Sequence, residues 1–153
     1  MKIIIGCDEI AINMKEAIKS YLLSQDDVII EDLYDAGVYS SEPVDYPDIA
    51  EKVAVEIAQH NYDRGILVCG TGIGMSIAAN KIPGVRSAVI YDPYSAGRAM
   101  KSNNAQIVSL GALTMGIETA KYLVSLWLRS DFVGGRSTRK VEKINQIDQR
   151  YHQ

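Results

Sequence analysis

A chain of 153 residues, 47% apolar and 23% charged, has the size and profile of one globular domain that buries most of its apolar side chains, which leaves little room for a second domain. Its 16 basic and 19 acidic residues give a net charge of -3, so it offers no overall attraction to nucleic acid or to an anionic membrane, and an anionic small molecule has to be captured locally. No apolar run approaches the roughly 20 residues of a membrane span.

Taken in chain order, short β-rich runs alternate with segments of helical period. Lys2 to Cys7 reads as an apolar strand that stops at Asp8, with no export-signal pattern ahead of it. Met14, Ile18 and Leu22 then share one helical face. Val28 to Leu33 reads as the second strand, and Asp35 to Asp45, with Gly37, Ser40, Ser41 and Pro43, as the one long loop. Ile49, Val53 and Ile57 mark a helix with Pro47 near its first turn, where a fixed φ is tolerated. Gly65 to Val68 reads as a buried strand, and a helix follows Gly74. Strands over Ser87 to Ile90 and Gln106 to Leu110 flank a helix over Tyr94 to Asn103, and a long helix covers Gly116 to Ser130 with Trp127 on its buried face. Gly134-Gly135 then breaks the chain before a polar helix over residues 136–151. Its stripe of Val141, Ile144 and Ile147 is too narrow to build a core and is expected to dock on a partner subunit. The alternation implies an α/β domain spanning 1–153, with a parallel sheet covered on both faces and ligands bound outside the carboxyl ends of the strands.

The chemistry-bearing segment is Cys69-Gly70-Thr71-Gly72-Ile73-Gly74, which places a thiol where a buried strand runs into a glycine-rich turn. Gly70, Gly72 and Gly74 let bare backbone approach a ligand. Their N–H groups, with the positive end of the following helix, face any negative charge placed there. The same field favours a thiolate, which makes Cys69 a candidate nucleophile or base. Cys7 and Cys69 both end interior strands and read as free thiols of a reducing cytoplasm. His60 and His152 lie far from every motif, and no Cys or His spacing suggests a metal site. Two other classes fit parts of this segment. A cysteine phosphatase needs an arginine near the end of its phosphate loop, and positions 70 to 76 contain none. A nucleotide-binding module needs G-x-G-x-x-G, and here the third glycine falls one residue early.

The chain resembles the ribose-5-phosphate isomerase B and galactose-6-phosphate isomerase family over nearly its whole length. The resemblance rests on Ile5-Gly-Cys7-Asp8, Asp45-Tyr46-Pro47-Asp48, Cys69-Gly-Thr71-Gly-Ile-Gly74, Ala78-Ala-Asn80-Lys81, Pro83-Gly84, Asn103-Asn-Ala105, Leu110-Gly111-Ala112 and Gly134-Gly135-Arg136 in that order and spacing. It implies a Rossmann-like three-layer α/β/α fold on five parallel strands, a homodimer or tetramer with active sites shared between subunits, and an aldose–ketose isomerase of sugar phosphates that needs no cofactor. Position by position, it makes Cys69 the base and Thr71 a donor to the substrate oxygens. The amides of Gly70, Gly72, Ile73 and Gly74 become the anion hole for an enediolate. Asp8, with Glu9 beside it, and Tyr46 become substrate contacts, and Asn103 a contact from the neighbouring subunit. Arg136 and Lys140, four apart on one face, become the phosphate grip. From the residues alone, Asp8 is equally a helix N-cap.

Departures from the family pattern bear on the substrate. Glu9 and Ser137 stand where the ribose enzymes carry histidine, and Ser102 replaces the histidine that opens the furanose ring in those enzymes. Leu113 stands where many members have arginine, and Lys140 gives up a bidentate fork for a point charge. A serine cannot supply the imidazole's acid–base help at pH 7. A four-carbon sugar esterified at its 4-oxygen closes no five-membered ring and needs none. The pattern therefore resembles the branch acting on D-erythrulose 4-phosphate, with ribose 5-phosphate as the alternative substrate. A non-catalytic subunit of a hetero-oligomer is disfavoured because Cys69 and Thr71 are both present.

Overall fold

The three central strands of the sheet are almost wholly buried, as strands covered on both faces must be: β1 (Lys2–Cys7), β3 (Arg64–Cys69) and β5 (Ile107–Gly111). In the computed structural model, which describes residues 1–151, they pair in parallel with short edge strands β2 (Asp32–Asp35) and β4 (Ser87–Val89) in the order β2-β1-β3-β5-β4. His152 lies outside the described residues. Helices α1 (Ile12–Leu23), α4 (Pro93–Asn103) and α5 (Ile117–Leu128) cover one face, where Ile3, Ile5, Cys7, Ile66 and Val68 pack against Ile18, Met100 and Trp127. Helices α2 (Tyr46–Ala58) and α3 (Ile73–Ala79) cover the other, where Ile4, Leu67 and Cys69 meet Val53, Ile57 and Met75. The fold is thus the three-layer arrangement expected from the sequence.

Two glycines bring α2 close to the sheet. A Cβ on Gly6 would stand 2.7 Å from Ile49 Cγ2, and one on Gly65 would stand 3.2 Å from Val53 Cγ1. The trio Met14, Ile18 and Leu22 is buried as expected, and so is Trp127, whose indole N–H donates to the Ala105 carbonyl at 3.0 Å. Helix α6 (Thr138–Tyr151), entered through a single 3-10 turn at Gly135–Ser137, buries only Val141. It leans on its own chain's 84–86 segment, where Arg86 donates to Asn145 at 3.0 Å and the Gly84 N–H donates to Asp148 at 2.5 Å.

Some boundaries differ from the expectation. The second strand is Asp32–Asp35, not Val28 to Leu33, because the register pairs Lys2 with Asp32 and Ile5 with Asp35. The apolar pulse at 28–30 precedes the ladder: Ile30 packs against the core while Ile29 faces out. The third strand runs one residue further at each end than expected, so Cys69 is its last residue. The fifth begins one residue later, the fourth ends at Val89, and the long helix stops at Leu128.

Candidate active site

The carboxyl ends of β1 and β3 lie side by side, Cys7 paired with Val68, at the point where successive connections leave the sheet in opposite directions. Such a switch point opens a crevice above the strands. Cys69 ends β3 and is 5% exposed at the floor of an open cleft of about 470 Å³ lined by Asp8, Tyr46, Cys69, Gly70, Thr71, Ile73, Gly74 and Ile77. Gly72 turns with φ +78° and donates its N–H to the Cys69 sulfur at 3.1 Å, which fixes how the sulfur sits in the turn. Only glycine serves there, since a Cβ would meet the Leu110 backbone at 3.0 Å. Across the turn, the Ala112 and Leu113 N–H groups donate to the carbonyls of Cys69 and Gly70 at 2.8 and 3.0 Å, pinning the loop to the end of β5. Gly111 makes room for that crossing, because its Cβ would fall 2.8 Å from Thr71 Cα. Thr71 is exposed and accepts from the Ile73 N–H at 3.3 Å. Helix α3 is only seven residues long, so the loop's own N–H groups, more than a helix end, supply the positive lining.

Asp8 serves two purposes. Its side chain accepts from the Ile10 N–H at 3.2 Å as the cap of a 3-10 turn, and it also lines the cleft beside Cys69. Burial first, and the neighbouring Glu9 charge second, raise its pKa above the ordinary carboxylate value. Glu9 does not line the cleft: its carboxylate accepts from the Val44 N–H at 3.3 Å and so ties down the loop that delivers Tyr46. Tyr46 opens α2 and lays its ring on Gly74, where a Cβ would approach ring carbons to 2.6 Å.

Beneath that loop, Lys15 is fully buried. Its ammonium donates to both Asp35 oxygens, at 2.8 and 2.9 Å, and to the Val38 carbonyl at 2.9 Å. Burial acts to raise the Asp35 pKa, but hydrogen bonds from Lys15, Lys19 and the Gly37 N–H outweigh it and hold the carboxyl below its ordinary value. Cys7, on the opposite sheet face from Cys69, is pushed up to about 11 by burial, with Lys15 acting against the rise.

Asn103, Arg136 and Lys140 are not in this cleft. They line a separate cavity of about 570 Å³ between the end of α4 and the start of α6, together with Arg98, Ser102, Ser137 and Arg139. Among the described residues no acidic side chain lines it. Within one chain, therefore, the thiol and the cations line two separate cavities. The sequence reading missed Arg98 and Arg139. Spacing alone carried a signal, since Arg98 stands four before Ser102 and Arg139 three after Arg136.

Among the described residues no group of three or more His, Cys, Asp or Glu side chains is placed to hold a metal ion, and no helix is long and apolar enough to cross a membrane. A family model described as ribose/galactose isomerase matches residues 3–144. A protein of Listeria innocua named ribose-5-P isomerase B is 52% identical over 150 residues, covering 98% of this chain and 99% of its own. The D-erythrulose-4-phosphate isomerase of Pectobacterium atrosepticum is 46% identical over 154 residues, covering 100% of this chain and 99% of its own. The solved structure of ribose-5-phosphate isomerase B from Clostridium thermocellum superposes with a TM-score of 0.93 at 41% identity, covering 99% of each chain.

Proposed function

The chain belongs to the ribose/galactose isomerase family and is a sugar-phosphate isomerase of the ribose-5-phosphate isomerase B type, and from that premise we propose that Cys69 is the base of an aldose–ketose interconversion of a short sugar phosphate. The observation that carries this reading is the position of the sulfur: last residue of a central strand, at the floor of an open cleft, with the Gly72 N–H of the glycine-rich turn donating to it. The thiolate takes a proton from C1 of the ketose, and the electron pair forms the C1–C2 double bond of an enediolate whose charge rests on O2. Those amides of residues 70–74 that do not already bond Cys69 or Thr71 meet that charge, and oriented donors of this kind contribute about 2.7–4 kcal/mol each. The proton returns at C2 while the O1 hydroxyl proton passes to O2, and the aldose results. Thr71, Asp8 and Tyr46 surround the two oxygens from the cleft walls.

The phosphate sits in the cationic half-site with Arg136 and Lys140, and Asn103 reaches the sugar from the same side. Because thiol and cations line different cavities of one chain, a complete site joins the cleft of one subunit to the cationic cavity of another in a homodimer or tetramer of the cytoplasm. Helix α6, with Ile144 and Ile147 39% and 54% exposed, docks across that boundary. For the substrate we favour D-erythrulose 4-phosphate. Among the described residues neither half-site is lined by a histidine that could open a sugar ring, and the Pectobacterium atrosepticum relative acts on that ketose by its name. Ribose 5-phosphate is the second reading, favoured by the higher identity to the Listeria innocua protein.

Steady-state assays of the purified protein on both phosphates test the choice. The expected result is a kcat/KM for the tetrulose well above that for ribose 5-phosphate, and the reverse ratio rejects it. Cys69→Ala is expected to lose at least about 10²–10⁴-fold in kcat, the range a positioned base supplies, while still binding inorganic phosphate. Wild-type turnover in that variant removes Cys69 as the base.

A further inference from the structure

The cationic cavity has two walls of different origin. Arg136, Arg139 and Lys140 come from the turn and first residues of α6, while Arg98 comes alone from α4, one helical turn before Ser102. Among the described residues none of these four cations makes an ion pair or a side-chain hydrogen bond, and no carboxylate lines this cavity, although Asp131 lines the adjoining cavity that Arg98 and Arg136 also line. Four unpaired cations around one cavity on a net-negative protein are a local field for an anion. Held by α6 alone, a phosphate would rest on one wall with its other side in water.

We propose, resting on the sugar-phosphate reading above, that Arg98 closes the phosphate grip from the opposite wall and is a specificity-determining residue for the dianionic phosphomonoester. Three observations favour Arg98 over any other side chain. It is the one basic residue of the α4 wall, it shares that wall with Ser102 and Asn103, and it stands where this cavity meets its two neighbours, lining all three. Its planar fork gives two parallel N–H donors to adjacent phosphate oxygens, geometry that an ammonium lacks. Arg98 is exposed on its helix, so its replacement leaves the core of α4, Ala96, Ala99 and Met100, in place.

Calorimetric titration with inorganic phosphate tests the assignment on the intact protein, alongside steady-state kinetics on the sugar phosphates. Arg98→Gln is expected to weaken phosphate binding about tenfold to a hundredfold, the usual loss for a charge-assisted hydrogen-bond pair, and to raise substrate KM by a similar factor with a smaller change in kcat. Arg98→Lys recovers part of the affinity. Lys101→Gln removes the same charge from the same helix at a position that does not line this cavity, and is expected to change phosphate affinity less than about twofold at moderate salt. The assignment is overturned if Arg98→Gln binds phosphate as the wild type does, if Lys101→Gln weakens it as much, or if two phosphates bind per chain and only the second depends on Arg98. Wild-type turnover with an indifferent Arg98 rejects this inference and leaves the isomerase reading standing. Arg98-dependent phosphate binding without turnover does the opposite.

Discussion

Two thiols end neighbouring strands, and the alternation of the β backbone sends them to opposite faces of the sheet. Cys7 is 0% exposed, and burial keeps its proton on up to about pH 11, whereas Cys69 lies at the floor of a cleft open to solutes. Iodoacetamide near pH 8 is therefore expected to label Cys69 and spare Cys7 in the folded protein, read by peptide mass mapping; equal labelling would contradict the burial difference. Asp8 gives a second prediction at this scale. Its raised pKa means that the ionised form, the acceptor proposed for a substrate hydroxyl, is lost at a higher pH than for an ordinary carboxylate as the solution is acidified. Burial is the larger cause and cannot be removed by a distant change, but the Glu9 charge can. Glu9→Gln keeps an oxygen for the Val44 N–H and removes the repulsion, so the acid limb of the pH dependence of kcat/KM is expected to move to lower pH. A limb that stays in place would separate Asp8 from the rate.

At the scale of elements, the segment between β2 and α2 is held from beneath by a buried lysine. Lys15 bonds Asp35 at the end of β2 and the Val38 carbonyl, and the Gly37 carbonyl accepts from the Cys7 N–H at 2.7 Å, so the loop starts welded to the end of β1. Asp35→Asn leaves Lys15 without its close carboxylate partner and is expected to cost about 3 kcal/mol near neutral pH, the low end for breaking a buried pair because Glu16 remains 3.1 Å away. The sign with pH follows from the depressed Asp35 value: its contribution is full above the ordinary carboxylate pKa and is lost as pH falls through the lower folded one. Thermal unfolding should thus separate variant from wild type near pH 7 and bring them together in strong acid; a gap that persists in acid would assign the loss to packing.

This network also marks where the sequence stops being legible. The central strands and the Cys69 turn declare themselves through a buried apolar run and clustered glycines, and so do most helices through their period. Nothing in the helical period sets Lys15 apart, and only the folded loop brings Asp35 to it. The second strand was displaced because Val28 to Ile30 are the apolar residues, while the paired residues are the polar Asp32 to Asp35. For Arg98 and Arg139 the sequence carries only the weak signal of spacing, and it is α4 and the start of α6 lining one cavity that brings them together.

For the whole molecule, the separation of the thiol cleft from the cationic cavity is the organising fact. The β1–β3 switch point fixes the cleft at one place on the domain, and the α4–α6 junction fixes the cations at another, with no lining residue in common. A rigid α/β/α core cannot fold these together within one chain, so the proposed shared site makes a quantitative demand on the oligomer. Cys69→Ala and Arg136→Gln are each expected to be nearly inactive alone, since every site carries one defect. In a mixed dimer the two defects fall in the same site, and the other site pairs an intact cleft with an intact cationic cavity. Co-expression of the two variants under separate tags, with random pairing, should restore about a quarter of wild-type activity, because about half of the dimers are mixed and each of those has one whole site. Activity that stays at the level of the single variants in isolated mixed dimers would place thiol and phosphate grip in the same subunit and end the shared-site proposal.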